Sequence, residues 1–139
     1  MRVRCVYNRR RDVTEPQCRQ YAAVQADELE LQLVYTVYGQ LSLVDGGCLM
    51  YLIEPRYRGS PLRPSWYPAS LFEVYDSSIP SSWVFAVHAA GTVHASPVAV
   101  WGYPELATSQ AHYAGLIERE EDSLQLFRAR KLEIDHEAG

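Results

Sequence analysis

The chain has 139 residues, 47% of them hydrophobic and 22% charged, with a formal net charge of −4. This is the size of one domain, able to bury roughly 68% of its unfolded surface without metal or disulfide staples, and the composition excludes global disorder. Nowhere do about 18 apolar residues run together, so no membrane-spanning helix is expected, and an acidic chain makes a poor general binder of nucleic acid because phosphate contacts drive that affinity.

Residues 2–7 alternate Val3, Cys5 and Tyr7 with Arg2, Arg4 and Val6, which predicts a short strand with one polar face. Residues 8–30 read as a long loop holding Arg9-Arg10-Arg11, Thr14-Glu15-Pro16 and Asp27-Glu28-Leu29-Glu30. Residues 31–38 predict a strand, with Leu31, Leu33, Tyr35 and Val37 on one side and an end at Gly39. Asp45-Gly46-Gly47 is a turn signal between Leu41–Val44 and Cys48–Ile53, so a hairpin is expected there. Pro55, Gly59, Pro61 and Pro64 make residues 54–65 a restricted loop. Trp66-Tyr67-Pro68 then leads into a strand over Leu71–Tyr75. Asp76–Ser82 breaks that strand, and two more are expected, Trp83–His88 and Pro97–Trp101, around a turn at Gly91.

After Gly102 the period changes to that of a helix. Pro104 suits a first helical turn, and Glu105 beside it favours the positive end of the dipole. Residues 105–116 predict one or two short helical pieces interrupted at Gly115. A last helix follows, with Leu116, Leu124, Phe127 and Leu132 as its apolar stripe. Glu118, Glu120, Glu121 and Asp122 stand at its start and Arg128, Arg130 and Lys131 towards its end, a polarity that complements the helix dipole. The expectation is therefore one α+β domain over residues 1–139, with a β-rich core at 1–101 and a helical part at 102–135.

Several stretches resemble small SH3-like barrels. They are Leu33-Val34-Tyr35-Thr36-Val37-Tyr38-Gly39, Tyr51-Leu52-Ile53-Glu54, and Trp66-Tyr67-Pro68-Ala69-Ser70-Leu71-Phe72-Glu73-Val74. The Trp-Tyr-Pro-Ala…Leu-Phe-Glu-Val stretch, with Pro80 and Trp83-Val84-Phe85 after it, looks especially like small bacterial proteins of uncharacterised function. The resemblance covers roughly residues 31–85 and implies a small antiparallel barrel with the helical tail outside it. Such barrels bind peptides, proteins and nucleic acids alike, so the resemblance implies binding without choosing the partner.

The chemistry-bearing residues form no catalytic pattern. His88, His94 and His112 match no metal-ligand spacing, and no metal or other cofactor is expected. Cys5, Cys18 and Cys48 are an odd, widely spaced set, which predicts reduced thiols in a cytoplasmic protein; Cys5 and Cys48 read as small buried hydrophobes. Residues Met1–Tyr7 contain no apolar run of signal-peptide length. There is no phosphate-binding Gly-rich loop and no Gly-x-Ser-x-Gly element.

Binding is favoured over catalysis on those grounds. Ten tyrosines and three tryptophans are many for this length, and exposed aromatics anchor interfaces. The acids Glu118, Glu120, Glu121 and Asp122, with Tyr57, Trp66 and Tyr67 as anchors, would serve an inhibitor or immunity-type protein that docks on a toxin or enzyme and occludes it. The alternative is a nucleic-acid-binding barrel. It would use Arg9, Arg10, Arg11, Arg56, Arg58 and Arg63, if loops 8–30 and 54–65 lie together and Trp66 and Tyr67 supply stacking surfaces.

Overall fold

A computed structural model describes residues 1–13, 18, 26–43, 47–57, 60–61, 63–90 and 97–138, with the backbone alone at 10, 57, 60 and 61. Among the described residues the strands are β1 (Arg2–Cys5), β2 (Val34–Thr36), β3 (Gly39–Leu43), β4 (Leu49–Ile53), β5 (Arg56–Tyr57), β6 (Ser60–Pro61), β7 (Ser65–Pro68), β8 (Phe72–Asp76), β9 (Val84–His88) and β10 (Val98–Gly102). After β10 come α1 (Pro104–Thr108), α2 (Gln110–Ile117) and α3 (Glu121–Glu137). The α+β class is as the hydrophobic periods indicate.

The strands form a three-stranded sheet in the order β2-β1-β8, a five-stranded sheet in the order β7-β4-β3-β10-β9, and the β5-β6 ribbon, all antiparallel. No sheet closes on itself among the described residues, so the closed SH3-like barrel expected from the resemblance is not what they form. The strand at 31–38 is also shorter than expected. Leu31 and Leu33 are exposed, Gln32 has a φ of 71°, and the strand itself is Val34–Thr36, although Gln32 and Leu33 still bond to the Cys5 backbone. Gly39 opens β3 rather than ending a strand.

The five-stranded sheet is the middle of three layers. Side chains two apart on a strand share a face. One face carries Leu41, Met50 and Val100 and receives the helices, whose Leu106, Leu116, Leu124, Phe127 and Ile134 join the same core. The ring of Tyr38, just before β3, meets Phe127 of α3 edge-on at 5.4 Å. The opposite face carries Tyr51, which meets Phe72 of the small sheet at 5.9 Å. Phe72 also touches Tyr35 at 6.5 Å. Val3 and Cys5 of β1 are wholly buried in that layer, while Arg2 and Arg4 turn outward to Asp76 and Glu73.

Two glycines set how closely the helices approach. Gly39 and Gly102 are paired across β3 and β10. A Cβ at either would collide with Leu106 Cδ2, so α1 can rest on the sheet only because both positions are bare. Gly115 does the same between helices, since a Cβ there would meet Ser123 of α3. The expected helix break at Gly115 is therefore corrected: it lies inside α2, and the chain reverses four residues later.

The cysteine expectation is corrected too. Cys18 and Cys48 are bonded, with their Cα atoms 5.4 Å apart, and both are buried. A separation of 30 residues hid the pair, because only the folded hairpin brings residue 48 back to residue 18. Cys5 is free and buried, and burial pushes its thiol up to about 11 while its Sγ donates to the Tyr7 carbonyl oxygen.

Candidate functional site

The turn between α2 and α3 and the first turn of α3 together hold the four acids singled out in the sequence. The Glu120 N–H donates to the Gly115 carbonyl oxygen at 2.9 Å and the Arg119 N–H to that of Leu116 at 3.3 Å. These two bonds define a Schellman ending, in which the residue after the cap adopts left-handed backbone and is usually glycine. Here that residue is Arg119, with a φ of 62°. Its guanidinium supports the strained position by donating to the Pro64 carbonyl oxygen and, at 2.6 Å, to Ser65 Oγ of β7. The turn is thus pinned to an edge strand of the central sheet.

That pinning aims the acids outward. Glu118, Glu120, Glu121 and Asp122 are all exposed. Glu120 caps α3 and its carbonyl oxygen accepts from the Leu124 N–H. Glu121 lies 3.7 Å from Arg128, and both side chains are largely in solvent, so that pair adds little stability. Ile117 is 42% exposed at the head of the turn, an apolar side chain directly before the carboxylates in the chain. The acids were legible in the sequence. The turn was not, because the glycine that normally marks it is replaced by arginine.

The expected aromatic anchors lie elsewhere. Tyr67 is 0% exposed, and its hydroxyl donates to Glu28 Oε2 at 3.2 Å. Burial and the Glu28 carboxylate hold that phenol well above the usual tyrosine range. Trp66 packs on the other side of β7, 6.0 Å from the Tyr113 ring of α2 and against the Gly39 position. Tyr67 therefore offers a partner nothing, and Trp66 serves chiefly to seat α2. Both belong to a strand between layers, Tyr67 wholly buried and Trp66 half-buried. The Tyr57 side chain lies outside the described residues.

The described arginines of the alternative reading sit on different elements. Arg9 and Arg11 are exposed at a 3-10 turn over Arg10–Asp12. Arg63 is exposed and near enough to Arg119 to help burial lower the latter's pKa, whereas Glu28 and Tyr67 act in the opposite direction. Arg56 is exposed beside Glu54, whose carboxyl is raised by burial against the opposing pull of Lys131, Arg56 and Arg128. Next to it Asp135 accepts from the Tyr38 hydroxyl at 2.8 Å and from Lys131 Nζ at 2.5 Å. The Arg10 side chain and all of Arg58 lie outside the described residues.

Two of the histidines are interior. His88 Nε2 donates to the Ala107 carbonyl oxygen at 2.6 Å, and His112 Nε2 shares a 2.6 Å hydrogen bond with the Tyr103 hydroxyl. Burial lowers the His112 pKa, partly offset by the carboxylate of Glu105, which Arg130 grips at 2.7 and 2.9 Å. Tyr103 is wholly buried, so the group joins β10, α1, α2 and α3 from inside rather than facing a cleft. His94 lies outside the described residues. Among the described residues no three or more His, Cys, Asp or Glu could hold a metal ion, and no helix is long and apolar enough to cross a membrane. Comparison with known proteins finds no family model, curated protein or solved structure that matches the chain.

Proposed function

We propose that the chain is a protein-binding module of the inhibitor or immunity type, which docks on a toxin or enzyme and blocks it by steric occlusion. The observation that carries this reading is the α2–α3 turn: four exposed carboxylates, preceded by exposed Ile117, on a backbone held to β7 through Arg119. A rigid turn loses little freedom on binding, and its charge speeds encounter with a basic surface and rejects acidic ones. The occluded partner would then present lysines or arginines around an apolar seat for Ile117.

The likeness to SH3-like barrels belongs to this proposal only as a precedent for strand-rich scaffolds that bind through their turns. The Cys18–Cys48 bond leaves a cytoplasmic placement without support from reduced thiols. Such bonds persist in oxidising compartments, and occlusion works there equally well.

The test is affinity capture from the native host with the chain immobilised, in parallel with a Glu118→Gln, Glu120→Gln, Glu121→Gln, Asp122→Gln variant. The expected result is one protein retained by the native chain, released by salt, lost from the variant, and inhibited stoichiometrically by the native chain alone. Equal capture by both forms would remove the acidic turn from the reading. Binding to oligonucleotides that falls steeply with salt would replace it with the nucleic-acid alternative.

A further inference from the structure

The five-stranded sheet ends at β9, and among the described residues β9 pairs only with β10. Its outer edge thus presents backbone N–H and C=O groups to solvent. Val84, Phe85 and Val87 are exposed on the same strand, Phe85 and Val87 by 55% and 56%. The Phe85 ring lies 4.8 Å from that of Trp101 of β10, tilted by 42°, on the face that carries Tyr51 further along the sheet. The small sheet covers Tyr51 through Phe72 but leaves Phe85 and Val87 bare.

Proteins usually guard a free edge with charge, shortness or a covering element. Among the described residues the other edges of the two larger sheets follow that rule. β8 carries Glu73 and Asp76, each ion-paired to an arginine of β1. β7 lies between Arg63 and the Arg119 tether. β2 is three residues long. Among the described residues β9 has no such guard: residues 77–90 contain no Asp, Glu, Lys or Arg in a chain that is 22% charged.

We infer that β9 is a homodimer edge, pairing antiparallel with β9 of a second copy. This goes beyond the docking function proposed above and uses the opposite edge of the sheet. The electrostatics choose the occupant. An uncharged strand opposes no like charges when it meets itself, while a charged strand would have to leave its charges unmatched. Full overlap of a five-residue strand with its own copy centres the two-fold axis on Ala86. Phe85 of each copy then faces Val87 of the other, and the two central sheets become one sheet of twice the width. The bare Phe85, Val87 and Trp101 faces meet in a continuous apolar band. Such an interface is isologous and therefore closes at two copies instead of growing into a filament. With so few residues buried, the dimer dissociates in roughly the micromolar range.

Sedimentation of the full chain over a wide concentration range reads this out. The native chain is expected to pass from monomer to dimer with little dependence on salt. Phe85→Lys alone and Val87→Glu alone should each weaken association at least tenfold, with circular dichroism and urea midpoint unchanged. The double variant Phe85→Lys, Val87→Glu should regain the dimer, because each introduced amine faces an introduced carboxylate across the axis, and this dimer should now weaken with salt. A native chain that stays monomeric throughout, a dimer indifferent to both single substitutions, or a double variant that stays monomeric would each overturn the inference. Retained acidic-turn binding in a monomeric Phe85→Lys chain would show that the two surfaces are separate, whichever way the proposed function is decided.

Discussion

The two halves of the central sheet are built to different ends. The half formed by β7, β4 and β3 is covered on both faces, by the small sheet on one side and the helices on the other. It is tied down by the Cys18–Cys48 bond just before β4 and the Arg119 tether on β7. The half formed by β10 and β9 has helices on one face and solvent against Phe85 and Val87 on the other. The same β-branched and aromatic residue types fill both. What they contribute is decided by whether a third layer lies over them. Apolar residues in the covered half supply stability, and those in the open half supply a surface.

Breaking the comparison from the covered side should give the largest effects. Reduction of the disulfide, or Cys18→Ser with Cys48→Ser, releases a loop spanning 30 residues in sequence and should destabilise the fold by about 3–4 kcal/mol, seen as a lower urea midpoint. Tyr103→Phe leaves the buried His112 ring without its partner and should cost about 1–3 kcal/mol in the same measurement.

The His112 ring also predicts a pH dependence. Its pKa is lowered in the fold from an ordinary value of 6.5, so the unfolded chain takes up the proton first as pH falls. Stability from this group is complete above about pH 6.5 and declines below it, until the folded ring also protonates. His112→Gln should flatten that part of the denaturation profile.

Arg119→Ala should cost roughly 1–2 kcal/mol, because it removes charged hydrogen bonds to β7 while keeping the left-handed backbone. Arg119→Gly removes the same bonds but relieves the backbone, and should be the milder variant by about 1 kcal/mol. The smallest effect belongs to the open half. Val87→Ser should change the unfolding free energy by less than about 0.5 kcal/mol in urea denaturation, since the side chain has no covering layer. A large loss there would mean that β9 is covered after all.

Much of this architecture is visible in residue patterns. The alternation of Val3 and Cys5 with Arg2 and Arg4, the hairpin pairing of the strands on either side of residues 44–46, and Pro104 at a helix start each correspond to an element found in place. These are local signals, and local physics suffices to read them. What was hidden depends on contacts distant in sequence. Tyr67 and Trp66 carry no mark that separates a sandwiched strand from an exposed loop. The partnership of Gly39 with Gly102 appears only once β3 and β10 lie side by side. The acids at 118–122 were evident, but nothing in an arginine announces a left-handed turn. The charge-free run at 77–90 is plain in the sequence, but absence of charge gains meaning only when the strand is known to be an edge.

The Arg119 tether has a consequence for how the molecule opens. A glycine turn would let α2 and α3 form a self-sufficient hairpin, free to fray by itself. An arginine held in left-handed backbone by Pro64 and Ser65 lets that hairpin settle only when β7 is in place. The helical hairpin and the edge strand therefore protect one another's amides from exchange, and they should release them together as one cooperative unit.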